Sequence, residues 1–228
     1  CIDQGAGRLV KKLQDLDQLD DTLIMILSDN GCSAEGGPGG FSRGKPGAPI
    51  GTGGSYASAG LEWANVSDTP FRKFKSQTHE GGIASPLIVH WPKGFAARNA
   101  FRRQPGHVID LMPTCLDVAG VAYPQQRDGK PTLPLEGRSL VPAFADQPIE
   151  RDALYWEHEG KRAVQQGDWK LVAEYKQPWE LYNLAVDRTE LNDLASEQPK
   201  RVAELKALYE AWADRAGVMD FNTVRRRK

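Results

Sequence analysis

Along the first twenty positions apolar residues recur at helical spacing. Ala6, Leu9, Val10, Leu13 and Leu16 share one face, Lys11, Lys12, Gln14 and Asp15 fall elsewhere, and Asp3 stands where an N-cap is wanted. A helix is therefore predicted over residues 3–19. Thr22–Ser28 is a continuous apolar run of strand length, the pattern of a parallel-sheet strand covered by helices on both faces. Pro86–Trp91 predicts a second short strand. His107–Ala119 predicts a helix carrying Val108, Leu111, Met112, Cys115 and Leu116 inward, with Pro113 in its first turn or at a kink. Helix followed by buried strand suggests an α/β arrangement.

Between the two strands the periodicity stops. From Gly31 to Gly60 eleven of thirty residues are glycine, with Pro38, Pro46 and Pro49 interspersed, so a long irregular excursion is expected rather than helix or strand. Loops of that length inside compact domains are usually functional or disordered. Residues 120–150, rich in proline, glycine and charge, read as a linker. Beyond them Ala153–Glu157, Arg162–Gln166, Trp169–Ala173 and Trp179–Tyr182 are short strands separated by turn residues, the pattern of antiparallel hairpins. A covering helix should start at Pro199, carry Val202, Leu205, Leu208 and Trp212 on one stripe, and stop before Gly217.

Composition adds limits. With 228 residues and 40% apolar side chains the chain can bury a real core, and 29 basic residues against 30 acidic ones give no global field favouring nucleic acid or an acidic membrane surface. The tail Arg225, Arg226, Arg227, Lys228 is the basic run, expected to be a solvated terminus. No stretch reaches the roughly 18 to 20 apolar residues of a membrane span, and residues 1–20 are a charged amphipathic segment rather than a signal sequence. Cys1, Cys32 and Cys115 lie far apart without a CxxC pair, which reads as free thiols.

Two clusters could carry chemistry. Ser28-Asp29-Asn30-Gly31 ends the first strand, where ligands bind in open α/β sheets. By itself the Asp-Asn-Gly tripeptide also describes a simple turn. In the other reading one carboxylate and one amide oxygen on a tight bend suit a hard cation such as Ca²⁺. The second cluster, Phe71-Arg72-Lys73-Phe74-Lys75-Ser76-Gln77-Thr78-His79-Glu80-Gly81-Gly82, is either a solvated basic loop or a place where Lys75 and His79 face one anion beside glycines that permit close approach. Trp63 either fills a core or stacks on an aryl group or sugar.

In order and spacing, Leu-Ser-Asp-Asn-Gly, the glycine-rich insertion, Phe-Arg-Lys-Phe-Lys and His-Glu-Gly-Gly-Ile-Ala-Ser-Pro-Leu-Ile-Val-His-Trp-Pro together resemble the sulfatase family. The resemblance continues through His107–Gly120, Leu135–Leu140, Tyr155–Gly160 and Trp179–Leu184, almost the whole chain. It implies the C-terminal part of an alkaline-phosphatase-like α/β/α sandwich over residues 1–125. A small antiparallel sheet with a C-terminal helix then follows over 126–228. It further implies that Asp29 and Asn30 help hold a divalent cation, usually Ca²⁺, against a sulfate oxygen, that Lys75 contacts the sulfate, and that His79 and His158 are weaker substrate contacts. A sulfate ester, small-molecule or glycan, is the implied partner, and the parent is implied to be periplasmic or secreted.

The family's nucleophile is a formylglycine made from a Cys/Ser-x-Pro-x-Arg motif, which none of the three cysteines and no serine here provides. Two oxygen-bearing residues also fall short of the six to eight ligands Ca²⁺ normally takes. The expectation is therefore a fragment that is inert alone, and whose uncovered sheet invites association with itself or with a missing N-terminal part. Two alternatives remain: a related phosphodiester or phosphonate hydrolase, and a non-catalytic binding module on the same scaffold.

Overall fold

The computed structural model describes residues 2–96 and 99–225; Cys1 and the end of the basic tail, Arg226, Arg227 and Lys228, lie outside them. In chain order the first half contains α1 (Ile2–Asp15), β1 (Ile24–Leu27), β2 (Ser42–Gly44), β3 (Ser55–Ala57), α2 (Gly60–Asp68), α3 (Glu80–Ile83) and β4 (Leu87–His90). Then come α4 (Leu111–Ala119), β5 (Gln126–Arg127), β6 (Lys130–Pro131) and α5 (Val141–Phe144). The last part holds β7 (Leu154–His158), β8 (Lys161–Gln166), β9 (Trp169–Ala173), β10 (Glu180–Asn183), α6 (Pro199–Ala216) and α7 (Phe221–Arg225). These elements form two compact units, Cys1–Leu27 with Leu87–Arg151, and Ser28–Pro86 with Asp152–Lys228. Among the described residues no helix is long and apolar enough to cross a membrane.

In the first unit β1 pairs with β4 antiparallel, Ile24 opposite His90 and Leu27 opposite Leu87, rather than in the parallel manner its apolar run suggested. Nor is that run buried on both faces. Ile26, Leu27, Leu87 and Ile88 stay exposed, because among the described residues this sheet has two strands only. The stripe of α1 is only partly covered, with Ala6, Val10 and Leu13 half-buried and Leu9 and Leu16 exposed. Where the sequence placed a helix from His107, a 3₁₀ turn over Val108–Asp110 leads into α4, and Pro113 occupies the first turn. Of its expected inward residues Leu111 and Leu116 are half-buried, while Val108, Met112 and Cys115 are exposed. Asp110 organises this corner: fully buried, it accepts from the His107 and Arg138 N–H groups and pairs with Arg151 at 2.7 Å.

The second unit is built on the sheet β10-β9-β8-β7, antiparallel throughout. Strand alternation gives it two unlike faces. One face presents Val164, Leu171 and Leu181 to Leu205 and Tyr209 of α6, with Tyr155 stacked on Trp212 and Trp179 edge-on to Tyr209. Pro199 opens α6 and Gly217 closes it at φ +72, as expected. An added Cβ at Gly217 would meet nothing within 4 Å, so Gly217→Ala tests conformational cost alone. It should lower the stability of the chain by about 1 kcal/mol in urea unfolding; no change would show that α6 ends without needing the left-handed residue. The opposite face carries Ala163, Val172 and Tyr182 together with Lys170, whose side chain is completely buried.

The glycine-rich stretch is less irregular than expected. Ser42–Gly44 and Ser55–Ala57 form a hairpin, and α2 follows from Gly60. Phe41 and Tyr56 pack at 5.2 Å, and the hairpin's base is fastened by the Ser58 hydroxyl to Glu35 O and by Gly39 N–H to Glu62. Trp63, on α2, is 67% exposed, which removes the core-filling alternative for it.

Candidate active site

Asp29 and Asn30 leave β1 on a bend stabilised by Ser28 Oγ donating to Asn30 O at 3.0 Å. Asp29 is exposed and Asn30 half-buried. The Asn30 amide nitrogen donates to Gly31 O at 2.9 Å, so its oxygen is the atom left to a cation. The next residues run against the basic segment. Gly31 N–H donates to Gly82 O at 3.1 Å, and Lys75 N–H donates to Cys32 O at 3.0 Å. Cys32 N–H in turn donates to both carboxylate oxygens of Asp68, which fixes this crossing to the end of α2. Because two residues span at most about 7 Å of chain, the backbones of Asn30 and Lys75 lie within roughly 10 Å of each other.

Glycine makes the crossing possible. An added Cβ at Gly31 would sit 1.8 Å from Gly81 O; one at Gly81, 2.2 Å from Lys73 O; one at Gly82, 2.1 Å from Gln77 O. All three are backbone collisions. The loop that folds over these glycines holds Lys73 at φ +70 and Ser76 at φ +72, on either side of Phe74 and Lys75. Side chains with a Cβ adopt that region at a cost, so the conformation persists only because the surroundings enforce it.

Lys75 is about one-third exposed and its ammonium lies 3.3 Å from the Glu35 carboxylate, in a cavity of about 180 Å³ lined also by Ser33, Ala34, Phe74, Ser76 and Gln77. Glu35 is 55% exposed. A pair so open to water is worth about 0–1 kcal/mol, weak enough for an incoming oxyanion to compete for the ammonium.

His79 behaves differently from the expected substrate contact. Its side chain is wholly buried, with Nε2 3.2 Å from Glu180 of β10. Glu180 also accepts from Tyr182 at 2.6 Å and from Arg72 at 2.8 Å. The hydrogen bond with His79, then those of Tyr182 and Arg72, hold the Glu180 carboxyl at about 2, against burial that alone would raise it from 4.5. The unfolded chain therefore binds this proton more readily than the folded one. Stability from this carboxylate is complete above pH 4.5 and is lost as the pH falls toward 2. Urea midpoints measured over that window should fall steadily, and a Glu180→Gln variant should show a shallower fall; parallel curves would mean that Glu180 titrates normally.

His158, at the end of β7, is exposed beside Glu159 at 3.9 Å, and no hydrogen bond of the described residues joins it to Asp29, Asn30 or Lys75. The backbone thus carries the bend of Asp29 and Asn30 past the Lys75 loop at Gly31 and Cys32, while His79 is turned onto the sheet and His158 stands at a hairpin end. Sequence reasoning missed Glu35, which faces Lys75, and the buried carboxylates Glu80 and Glu190. A glutamate before paired glycines was visible, but its partners are remote in sequence. Among the described residues no three His, Cys, Asp or Glu side chains converge to hold a metal. Asp29 and Asn30 fit a hard cation in donor type and fall short of it in number.

This geometry accompanies a clear kinship. Residues 1–121 match the family model described as Sulfatase, and residues 72–212 the one described as N-sulphoglucosamine sulphohydrolase, C-terminal. An uncharacterized sulfatase of Schizosaccharomyces pombe is 28% identical over 96% of this chain and 42% of its own length. The N-acetylglucosamine-6-O-sulfatase of Bacteroides thetaiotaomicron is 29% identical over 92% of this chain and 33% of its own. The crystal structure of Ps i-CgsB in complex with k-i-k-neocarrahexaose aligns with a TM-score of 0.70 at 25% identity, covering 93% of this chain and 41% of that one. The chain spans less than half the length of each of these proteins. With two family models each covering more than half of it, and with the small antiparallel sheet and closing helix in place, the chain belongs to the sulfatase family, of alkaline-phosphatase-like fold.

Proposed function

We propose that the complete protein containing these residues hydrolyses sulfate esters, and that this chain supplies the lysine that binds the sulfate and two of the cation's oxygen ligands. The observation that carries the reading is the crossing at which Lys75 N–H bonds to Cys32 O, two residues after Asn30. That close backbone approach supports the reading that a carboxylate, an amide oxygen and an ammonium address one tetrahedral oxyanion. Sulfatases are generally metal-dependent, and a Ca²⁺ ion held partly by Asp29 and Asn30 would supply Lewis-acid polarisation of a sulfate oxygen. Lys75 would neutralise the sulfate as it binds and stabilise the charge that grows on its oxygens as the ester bond breaks. His158 is proposed as a more distant substrate contact; the burial of His79 supports an anchoring role for that residue instead.

The names of the relatives, an N-acetylglucosamine-6-O-sulfatase and a protein solved with a neocarrahexaose, support a sulfated glycan as the substrate class. The test is an assay of the complete protein on 4-nitrophenyl sulfate and on the matching phenylphosphonate, before and after chelation of divalent cations. Preferential, chelator-sensitive hydrolysis of the sulfate ester is expected. Preference for the phosphonate would assign the scaffold to phosphonate hydrolysis, and no turnover of either would leave a binding module. The 228-residue chain alone, without the Cys/Ser-x-Pro-x-Arg motif, is expected to be inert toward both.

A further inference from the structure

The segment that presents Lys75 is also anchored on the far face of the small sheet and on the loops that follow β9 and β10. Lys170 of β9, fully buried, lies 2.9 Å from Glu80 and 2.8 Å from Glu190. Glu80 is also paired with Arg188 at 3.1 Å, and its own N–H donates to Glu190 at 2.8 Å. Two carboxylates are thus met by one buried cation, Lys170, and one at the surface, Arg188. Burial alone would raise the Glu80 carboxyl, but Lys170 and then Arg188 more than offset it and keep the group charged. Around this cluster the same segment is pinned at Arg72, by Glu180, Tyr182 and the Glu190 carbonyl, and at Lys73, by Glu174 at 2.5 Å.

We propose that the buried trio Glu80, Lys170 and Glu190, flanked by the more exposed Arg188, is the positioning device of Lys75, with Lys170 its central positioning residue. The proposal rests on the reading of Lys75 as the oxyanion contact. Its physical logic is that of clamp and spring. Lys73 and Ser76 are held in the left-handed region and Gly81 and Gly82 lie under the loop with no room to spare, so the loop has every reason to relax outward once the glutamate beneath it is released. A buried ion cluster that loses one cation leaves an uncompensated carboxylate, which is relieved by opening toward water. The opening would move Lys75 away from Cys32 and Asn30.

Native-state hydrogen exchange on the isotopically labelled chain distinguishes positioning from general stability. In Lys170→Met, exchange at the Lys75 and Gly31 amides, which donate to Cys32 O and Gly82 O, should accelerate about a hundredfold relative to exchange at Val164 and Leu171 in the sheet. Lys170→Arg should restore most of that ratio. An unchanged ratio, with all amides accelerating together, would overturn the proposal, since a cluster that only stabilises the unit has that signature. If Lys170→Met does not fold, Arg188→Met is read the same way at a side chain 57% exposed, with a shift of about tenfold expected and no shift overturning the proposal. No sulfate ester enters the experiment, so failure of the hydrolase reading and failure of the positioning reading are told apart.

Discussion

If the complete protein hydrolyses sulfate esters as proposed, replacing Lys75 by alanine should lower turnover about a hundredfold or more, with folding intact. The size follows from what the ammonium is asked to do. Cleavage of the ester moves negative charge onto the sulfate and leaving-group oxygens, and a cation already fixed at that place stabilises the change without reorganising. Folding should survive because the side chain is about one-third exposed and its charged partner Glu35 is more than half exposed. Steady-state kinetics with circular dichroism as a control measure both; an unchanged rate in a folded variant would remove Lys75 from the mechanism. Lys75→Arg is not a neutral control, because a planar fork meets a tetrahedral anion in different geometry from a compact ammonium.

The second large effect is on stability. Gly82→Ala places a Cβ 2.1 Å from Gln77 O and 2.7 Å from Phe74 O, both backbone atoms that cannot swing aside as a side-chain tip would. The loop must lift, and the hydrogen bonds of Gly31 N–H to Gly82 O and of Gly82 N–H to His79 O go with it. Such overpacking should cost about 3 kcal/mol, several times the effect expected at Gly217, where only backbone freedom is at issue. Urea unfolding of the two alanine variants side by side gives the comparison. Equal and small losses would mean that the paired glycines are not held against the loop.

Much of the second unit could be read from the chain. Trp169–Ala173 is the predicted strand residue for residue, and α6 begins at its proline and ends at its glycine, because cap residues and a period of two or 3.6 are local signals. The hairpin of residues 42–57 was hidden, since Ser-Arg-Gly and Ser-Tyr-Ala carry no alternation and pairing is set by the turns between them. Lys170 was hidden for another reason. A lysine between Trp169 and Leu171 reads as the wet side of a strand, yet its charge is met by Glu80 ninety residues earlier and by Glu190 beyond the next strand. Pairing over such separations leaves no trace in local pattern. His79 shows the same limit: expected to face a substrate anion, it is instead buried against Glu180.

At the site, the end of β1 and the lysine before the paired glycines were legible as a family pattern, but not their approach to one another. That approach depends on three glycines at 31, 81 and 82 whose collisions exist only in three dimensions. Glu35 was invisible as Lys75's partner because forty residues of glycine-rich chain separate them.

Whether a cation carried by Asp29 and Asn30 sits beside Lys75 can be measured directly. Gd³⁺, an oxygen-seeking stand-in for Ca²⁺, is titrated into the complete, isotopically labelled protein in sulfate buffer while amide signals are followed by nuclear magnetic resonance. The predicted result is that signals of Asn30, Gly31 and Lys75 broaden first and together, and that Asp29→Ala abolishes the effect. Broadening confined to other acidic residues, with Lys75 unaffected while Asn30 responds, would show that carboxylate and lysine serve separate places and would contradict a shared sulfate site.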